Sequence, residues 1–149
     1  MWRNLMKKCV CGIDVGYKTL DVVIGNDKSF SEAKTYTNDS KGHKALIKTL
    51  KKKKVTHVCI EATGNYHLDI SLAIDKIKSV DLMVVNPRIS NNYAKALNQR
   101  AKTDAQDAYV LAHFALNMDF VIWQTPDIEM FSIRSCGRRL SQLEKIKRS

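Results

Sequence analysis

The chain has 149 residues, 44% of them hydrophobic and 27% charged, with a formal net charge of +10. This composition is typical of a soluble globular protein with roughly one domain's worth of core, and no apolar run approaches the ~20 residues that a membrane span needs. The first residues, MWRNLMKKCVCG, lack the apolar core of a signal peptide, so we expect residence in the cytoplasm. The strong positive charge favours a polyanionic partner such as nucleic acid, although basic runs also occur on solvated helix faces.

The first part of the chain predicts three strands and a basic helix. Residues 9–24, CVCGIDVGYKTLDVVI, contain two β-rich apolar runs hinged at Gly16, Tyr17 and Lys18, which is typical of a hairpin or of two adjacent strands. Residues 30–37 predict a weaker third strand with one exposed face. Ser40 then begins a basic amphipathic helix that leads into the lysine run at 51–54.

The middle of the chain alternates between strand and helix. Residues 55–61, VTHVCIE, predict a short strand that a turn at 63–65 ends, and residues 67–78 have the apolar spacing of a helix. Residues 80–85, VDLMVV, predict a further buried strand, closed by Asn86 and Pro87. The order β-β-β-α-β-α-β predicts an α/β protein with a mixed sheet covered by helices.

The last part of the chain predicts two helices. Thr103 has the features of an N-cap, and Gln106 three residues later completes a capping box before an apolar helix. Residues 125–149 are basic and amphipathic, and their apolar side chains at 133, 136, 140 and 143 have the 3-4-3 spacing of a coiled-coil seam. We therefore expect one domain over residues 1–124 and the start of a basic coiled-coil helix over 125–149, which we interpret as truncated at its end.

Four acidic side chains could form a metal site. Asp14 interrupts an apolar strand and Glu61 ends another, so in a mixed sheet with these strands as neighbours both carboxylates can lie at one edge. Asp104 and Asp107 are three positions apart on one helix face. Hard oxygen ligands of this kind suit Mg²⁺ or Mn²⁺, and a pair of such ions can act on a phosphodiester. Each acid also has an ordinary structural explanation: a helix-start acid, a strand-end surface acid, or a paired buried carboxylate.

Four segments, GIDVGYKTLDVVI, IEATGNYH, NPR and AKTDAQDAYVLA, occur in this order. Together they resemble the DEDD transposases of the insertion-sequence-110 type, whose relatives include the pilin-gene-inverting recombinases. The resemblance implies a ribonuclease H-like (RuvC-like) catalytic domain over residues 1–124, with a mixed five-stranded sheet flanked by helices. It also implies that the four catalytic, Mg²⁺- or Mn²⁺-binding acids of the family fall on Asp14, Glu61, Asp104 and Asp107.

The resemblance further implies a part in DNA strand cleavage and exchange during transposition in a prokaryotic cytoplasm, guided by a noncoding RNA. It implies a homo-oligomer in the full-length protein, and a later serine-bearing domain that this sequence does not contain, so we assign no nucleophile. We expect the following residues to bind nucleic acid: Lys51, Lys52, Lys53, Lys54, Lys102, Arg134, Arg138 and Arg139.

Two other functions are compatible with parts of the pattern. A basic nucleic-acid-binding module without catalytic activity would share the fold and the charge. A fragment of an actin-like ATPase would also begin with an acid-and-glycine strand, but it would need a second phosphate loop, for which the segment at 61–64 is a weak substitute. Tyr66, beside the acid turn, could stack on a base or sugar or could pack in the core.

Overall fold

The computed structural model describes residues 8–97 and 104–124, with side chains from residue 106 onward in the second range. Its strands are β1 (Val10–Val15), β2 (Thr19–Gly25), β3 (Lys34–Thr37), β4 (His57–Glu61) and β5 (Asp81–Val85). Its helices are α1 (Ser40–Lys52), α2 (Leu68–Asp75), α3 (Pro87–Ala96) and α4 (Asp104–Asn117). No helix within these described ranges is long and apolar enough to cross a membrane.

The five strands form one mixed sheet in the order β3-β2-β1-β4-β5. β1 is antiparallel to β2, and β2 to β3, whereas β1 is parallel to β4 and β4 to β5. This arrangement confirms the predicted α/β fold, a mixed five-stranded sheet flanked by helices of the ribonuclease H-like kind. The expected third strand is shorter than predicted, because only Phe30 of its first half pairs, through an isolated bridge to Gly25.

Successive side chains of a strand point to opposite faces of the sheet, so the sheet contributes to two separate cores. Different helices cover the two faces. One core combines alternate residues such as Ile13 and Ile60 with Leu46 of α1 and Ile70 of α2. The other core combines the intervening residues with α4; it includes Val10, Val23, Cys59, Met83, Ala108, Leu111 and Ala112. We call this second side of the sheet the α4 face.

The helix α1 begins where the sequence predicted. Its N-cap is Asp39, whose side chain accepts a hydrogen bond from the backbone N–H of Gly42 at 2.8 Å and another from the Thr37 hydroxyl at 2.8 Å. These two donors lower the pKa of the Asp39 carboxyl, the Gly42 N–H first. The predicted cap of α4 at Thr103 lies outside the described residues, as do the predicted coiled-coil helix at 125–149 and hence the proposed domain boundary.

The helix α3 was not predicted from the sequence. Asn86 and Pro87 were interpreted as the end of a strand, and they also begin a helix. The side chain of Asn86 accepts a hydrogen bond from Ile89 N at 3.0 Å, and Pro87 occupies the first helical turn, where its missing N–H costs no helical hydrogen bond. This helix brings Ser90 to the carboxyl end of β4, where its hydroxyl contacts Glu61. We call this end of the sheet, which carries Asp14 and Glu61, the acidic edge.

Candidate active site

Asp14 and Glu61 lie side by side at the carboxyl ends of two parallel strands. The register of β1 on β4 pairs Ile13 with Ile60. Asp14 and Glu61 occupy the next position on their respective strands, where neighbouring backbones are about 4.8 Å apart. Both side chains are half-buried. The structure therefore brings together the two acids that the sequence placed on separate strands.

Both carboxylates belong to the α4 face. Gly12, two residues before Asp14, faces the backbone of α4 at Ala108 and Ala112. Cys59, two residues before Glu61, packs in the same core as these alanines. Since side chains two positions apart share a face of a strand, Asp14 and Glu61 are directed towards the side that α4 covers.

The direction of α4 places its beginning near these acids. His113, late in the helix, stacks on Phe30 with ring centroids 6.0 Å apart. Phe30 lies against Gly25, which pairs with Val10 at the amino end of β1. The late part of α4 thus covers the amino end of β1, and its first turns, which contain Asp104 and Asp107, lie towards the carboxyl end.

Glu61 is held by a buried hydroxyl. The Oγ of Ser90, a residue only 4% exposed, lies 2.8 Å from Glu61 Oε2 and donates its proton to that carboxylate; the Pro87 carbonyl oxygen is a second possible acceptor at 3.1 Å. A hydroxyl that donates to one carboxylate oxygen restricts the side-chain rotation and leaves the other oxygen available to a ligand. Sequence inspection gave no signal for Ser90, because its role depends on the packing of α3 against β4.

Asp21 is a further acid that the sequence analysis did not single out. It pairs directly with Asp14 across β1 and β2, so both side chains share the α4 face. Its Oδ1 accepts a hydrogen bond from Thr35 Oγ1 at 2.7 Å. Its position within the apolar run LDVV was a signal that could have identified it. Two carboxylates at opposed positions repel each other, and a nearby cation would relieve that repulsion.

The Cys59 thiol next to the site is fully buried. Burial, followed by the charge of Glu61, raises the pKa of Cys59 to about 12. The sulfur therefore stays protonated near neutral pH and is a poor nucleophile.

The full four-acid cluster is not described by the structure. Among the described side chains, no group of three or more histidine, cysteine, aspartate or glutamate residues is arranged to hold a metal ion. The side chain of Asp104 lies outside them. The assignment of Asp14, Glu61, Asp104 and Asp107 as metal ligands therefore stays a prediction, supported by the placement of the first two and by the hard oxygen chemistry of the set.

The lysine run lies far from the acids. Lys51 and Lys52 end α1, Lys53 caps it, and Lys54 follows with a φ of 55°. The Lys53 carbonyl oxygen accepts a hydrogen bond from the Cys9 thiol at 3.6 Å, which places the run beside the amino end of β1. Cys9 and Asp14 are five positions apart along this strand direction, a span of about 16 Å. The other predicted nucleic-acid contacts, at Lys102, Arg134, Arg138 and Arg139, lie outside the described residues.

The sheet order β3-β2-β1-β4-β5, with β2 antiparallel to both of its neighbours and β1, β4 and β5 parallel, defines the class of fold as ribonuclease H-like. The sequence model of the DEDD transposase family of the insertion-sequence-110 type, described as a transposase, matches residues 11–146. The chain belongs to this family. It is 32% identical over 124 residues to the pilin gene-inverting protein of Moraxella bovis, a match that spans 80% of this chain and 38% of that protein. The chain thus spans about two fifths of the length of this curated relative.

Similar folds occur among solved structures at low sequence identity. RuvC of Thermus thermophilus, solved in complex with a Holliday junction substrate, is 11% identical with a TM-score of 0.49, over 70% of this chain and 90% of RuvC. The Holliday junction resolvase of fowlpox virus is 14% identical with a TM-score of 0.48, over 69% of this chain and 94% of the resolvase.

Proposed function

We propose that this chain is the metal-dependent, DNA-cleaving part of a transposase. The observation that carries the proposal is the placement of Asp14 and Glu61 on adjacent strand ends, on the face where α4 begins. Membership in the transposase family and the net charge of +10 support the same function. The DNA substrate, a noncoding guide RNA, a homo-oligomer and a later serine-bearing domain are part of this proposal for the full-length protein.

In this proposal the acids Asp14, Glu61, Asp104 and Asp107 hold Mg²⁺ or Mn²⁺. Bound divalent ions would stabilise the attacking and leaving oxygens of a phosphodiester displacement. Two features of the chain would hold these carboxylates in position. Ser90 fixes one oxygen of Glu61, and the sheet holds Asp14 beside it. A rigid β-strand end is better suited than a loop to hold ligands in fixed positions.

The distance between the lysine run and the acids has a consequence for DNA binding. A duplex that lies over Asp14 and Glu61 can reach the lysines only with a phosphate about 16 Å or more away. Lys51, Lys52, Lys53 and Lys54 would therefore bind backbone remote from the cleaved bond. Replacing all four with alanine should weaken binding to every sequence similarly and should reduce the slope of log K against log salt by about 0.9 per lost phosphate contact.

The test of the metal site is a DNA-binding titration with and without Mn²⁺. In the wild-type chain, Mn²⁺ should strengthen binding, since neutralised carboxylates no longer repel phosphates. The effect of Asp14→Asn on DNA affinity should change sign between the two conditions. Without metal it should bind DNA more tightly than the wild type because one negative charge is gone, and with Mn²⁺ it should bind more weakly.

The matched control is Asp27→Asn, which removes the same charge from an exposed position in the turn after β2, near the amino end of β1. It should leave the response to Mn²⁺ unchanged. If the wild type and Asp14→Asn respond to Mn²⁺ alike, the carboxylates do not form a metal site at this edge.

A nucleic-acid-binding module without catalytic activity is the second candidate. It is favoured by the net charge of +10 and by the lysine run at the end of α1, which can bind phosphates without a metal site. Such a module would keep the salt dependence of binding and the contribution of the lysine run. It would show no effect of Mn²⁺ that depends on Asp14.

A further inference from the structure

Two exposed tyrosines lie in the loops that follow β1 and β4, at the same end of the sheet as Asp14 and Glu61. Tyr17 lies in the turn between β1 and β2, three residues after Asp14, and is 68% exposed. Tyr66 lies in the segment that follows Glu61 and is 47% exposed. Their rings meet edge to face, with centroids 5.2 Å apart and planes 69° apart. We call these two residues the tyrosine pair.

A side-chain amide holds the two loops of the tyrosine pair together. Asn38 Nδ2 donates hydrogen bonds to the carbonyl oxygens of Gly16, at 2.9 Å, and of Tyr66, at 3.1 Å. Because carbonyl oxygens only accept, these contacts fix the orientation of the amide, and Asn38 Oδ1 faces His43 Nε2 at 2.7 Å. His43 Nε2 must therefore carry the proton in this contact. The backbone N–H of Asn38 also donates to the Lys18 carbonyl at 2.8 Å.

The aromatic surface is thus preorganised and faces solvent. An exposed aromatic side chain gives up the favourable free energy of burial. Here three hydrogen bonds nevertheless fix the loops that hold the two rings in this exposed position. The neighbouring Lys18 is also exposed, so the turn that carries Tyr17 also carries a positive charge. An aromatic ring next to a cation matches a nucleotide, which combines a π-face with a phosphate.

We propose that the tyrosine pair stacks on an unpaired nucleobase of the DNA whose backbone lies at the acidic edge. This rests on the proposed function and adds a substrate class, which is DNA with a base out of the helical stack near the cleaved phosphodiester. Fully paired duplex has no exposed base face to offer except at its ends. The pair should therefore discriminate distorted or branched DNA from regular duplex without reading its sequence.

The test compares two probes in the presence of Mn²⁺: a duplex with a bulged 2-aminopurine and the fully paired duplex of the same sequence. The readout is the ratio of the two affinities together with the quenching of 2-aminopurine fluorescence. In Tyr17→Ala and Tyr66→Ala, the affinity for the bulged probe should fall roughly five- to tenfold, with the paired duplex changed less than about twofold. Tyr66→Phe, which keeps the ring, should retain the preference and the quenching.

The control variant is Val121→Ala, which changes a 71% exposed apolar side chain that follows α4; its ratio should equal that of the wild type. An unchanged ratio in both alanine variants overturns the proposal, as does a loss of the preference in Tyr66→Phe with an unchanged thermal transition. A tyrosine effect confined to an RNA oligonucleotide overturns the assignment to DNA. Failure of metal binding alters both probes alike and leaves the ratio intact, so it is distinguishable from failure of stacking.

Discussion

The packing of α4 on β1 is most sharply tested by Gly12→Ala. A Cβ at Gly12 would lie well under 3.0 Å from the carbonyl oxygen of Ala108 and from the backbone nitrogen of Ala112, and 3.0 Å from the Ala112 Cα. All three are backbone atoms of one helix, so no side-chain rotation can relieve the overlap. The helix or the strand would have to move by about 1 Å to restore an ordinary contact distance.

We expect Gly12→Ala to lower the free energy of unfolding by about 3 kcal/mol, at the upper end of the usual cost of overpacking. The measurement is urea denaturation followed by circular dichroism. Because α4 begins with Asp104 and includes Asp107, its displacement should also reduce the stabilisation that Mn²⁺ gives to the folded chain.

The matched control is Gly16→Ala. A Cβ at Gly16 would meet Thr19 O at 3.3 Å, which asks its neighbour to move by only a few tenths of an ångström. Its cost should stay below about 1 kcal/mol. If Gly12→Ala is as stable as Gly16→Ala, α4 does not lie on β1 as described, and the convergence of the acids loses its basis.

Substitutions at three other residues test individual features of the structure. Ser90→Ala should weaken Mn²⁺ binding about tenfold, because the Glu61 carboxylate loses the hydroxyl that restricts its rotation. Ser90→Thr keeps a hydroxyl and should lose less Mn²⁺ affinity; titration calorimetry measures both. Asp39→Ala should lower the Tm because α1 loses its cap, whereas Asp39→Asn, which keeps an accepting oxygen, should lose less. Burial lowers the pKa of His43 below 6.5, so the folded state binds fewer protons than the unfolded state and stability should fall as the pH drops below about 6.5. In a series of Tm measurements against pH, His43→Gln should reduce the decrease of Tm at low pH. Part of the decrease should remain because burial also lowers the pKa of His67.

Much of the sheet could be predicted from local patterns. The two runs of GIDVGYKTLDVVI became β1 and β2 with the turn where Gly16 and Tyr17 indicated it. A buried or half-buried strand has a strong period and a narrow choice of residues, so the interruption by Asp14 is visible in the sequence. The same reasoning found Glu61, because a strand that stops at a turn exposes its last side chain at the sheet edge.

The contacts around the acids could not be predicted from sequence. Ser90 sits 29 positions from Glu61 along the chain, and only the crossing of α3 over the end of β4 brings them together. Asn86 and Pro87 fit both a strand end and a helix start, and tertiary packing decided that both occur. The position of the lysine run relative to the acids could not be predicted either, because it depends on the topology, which places the run at the opposite end of β1.

The most direct test of the central claim, that the acids at this edge bind a divalent metal, is the Tm of the folded chain against Mn²⁺ concentration. The wild type should be stabilised in a saturable manner, because the ion binds the folded chain and not the unfolded one. Asp14→Asn and Glu61→Gln should lose that stabilisation, and Asp27→Asn should keep it. Equal Mn²⁺ responses in all four proteins would show that these acids do not bind a divalent metal.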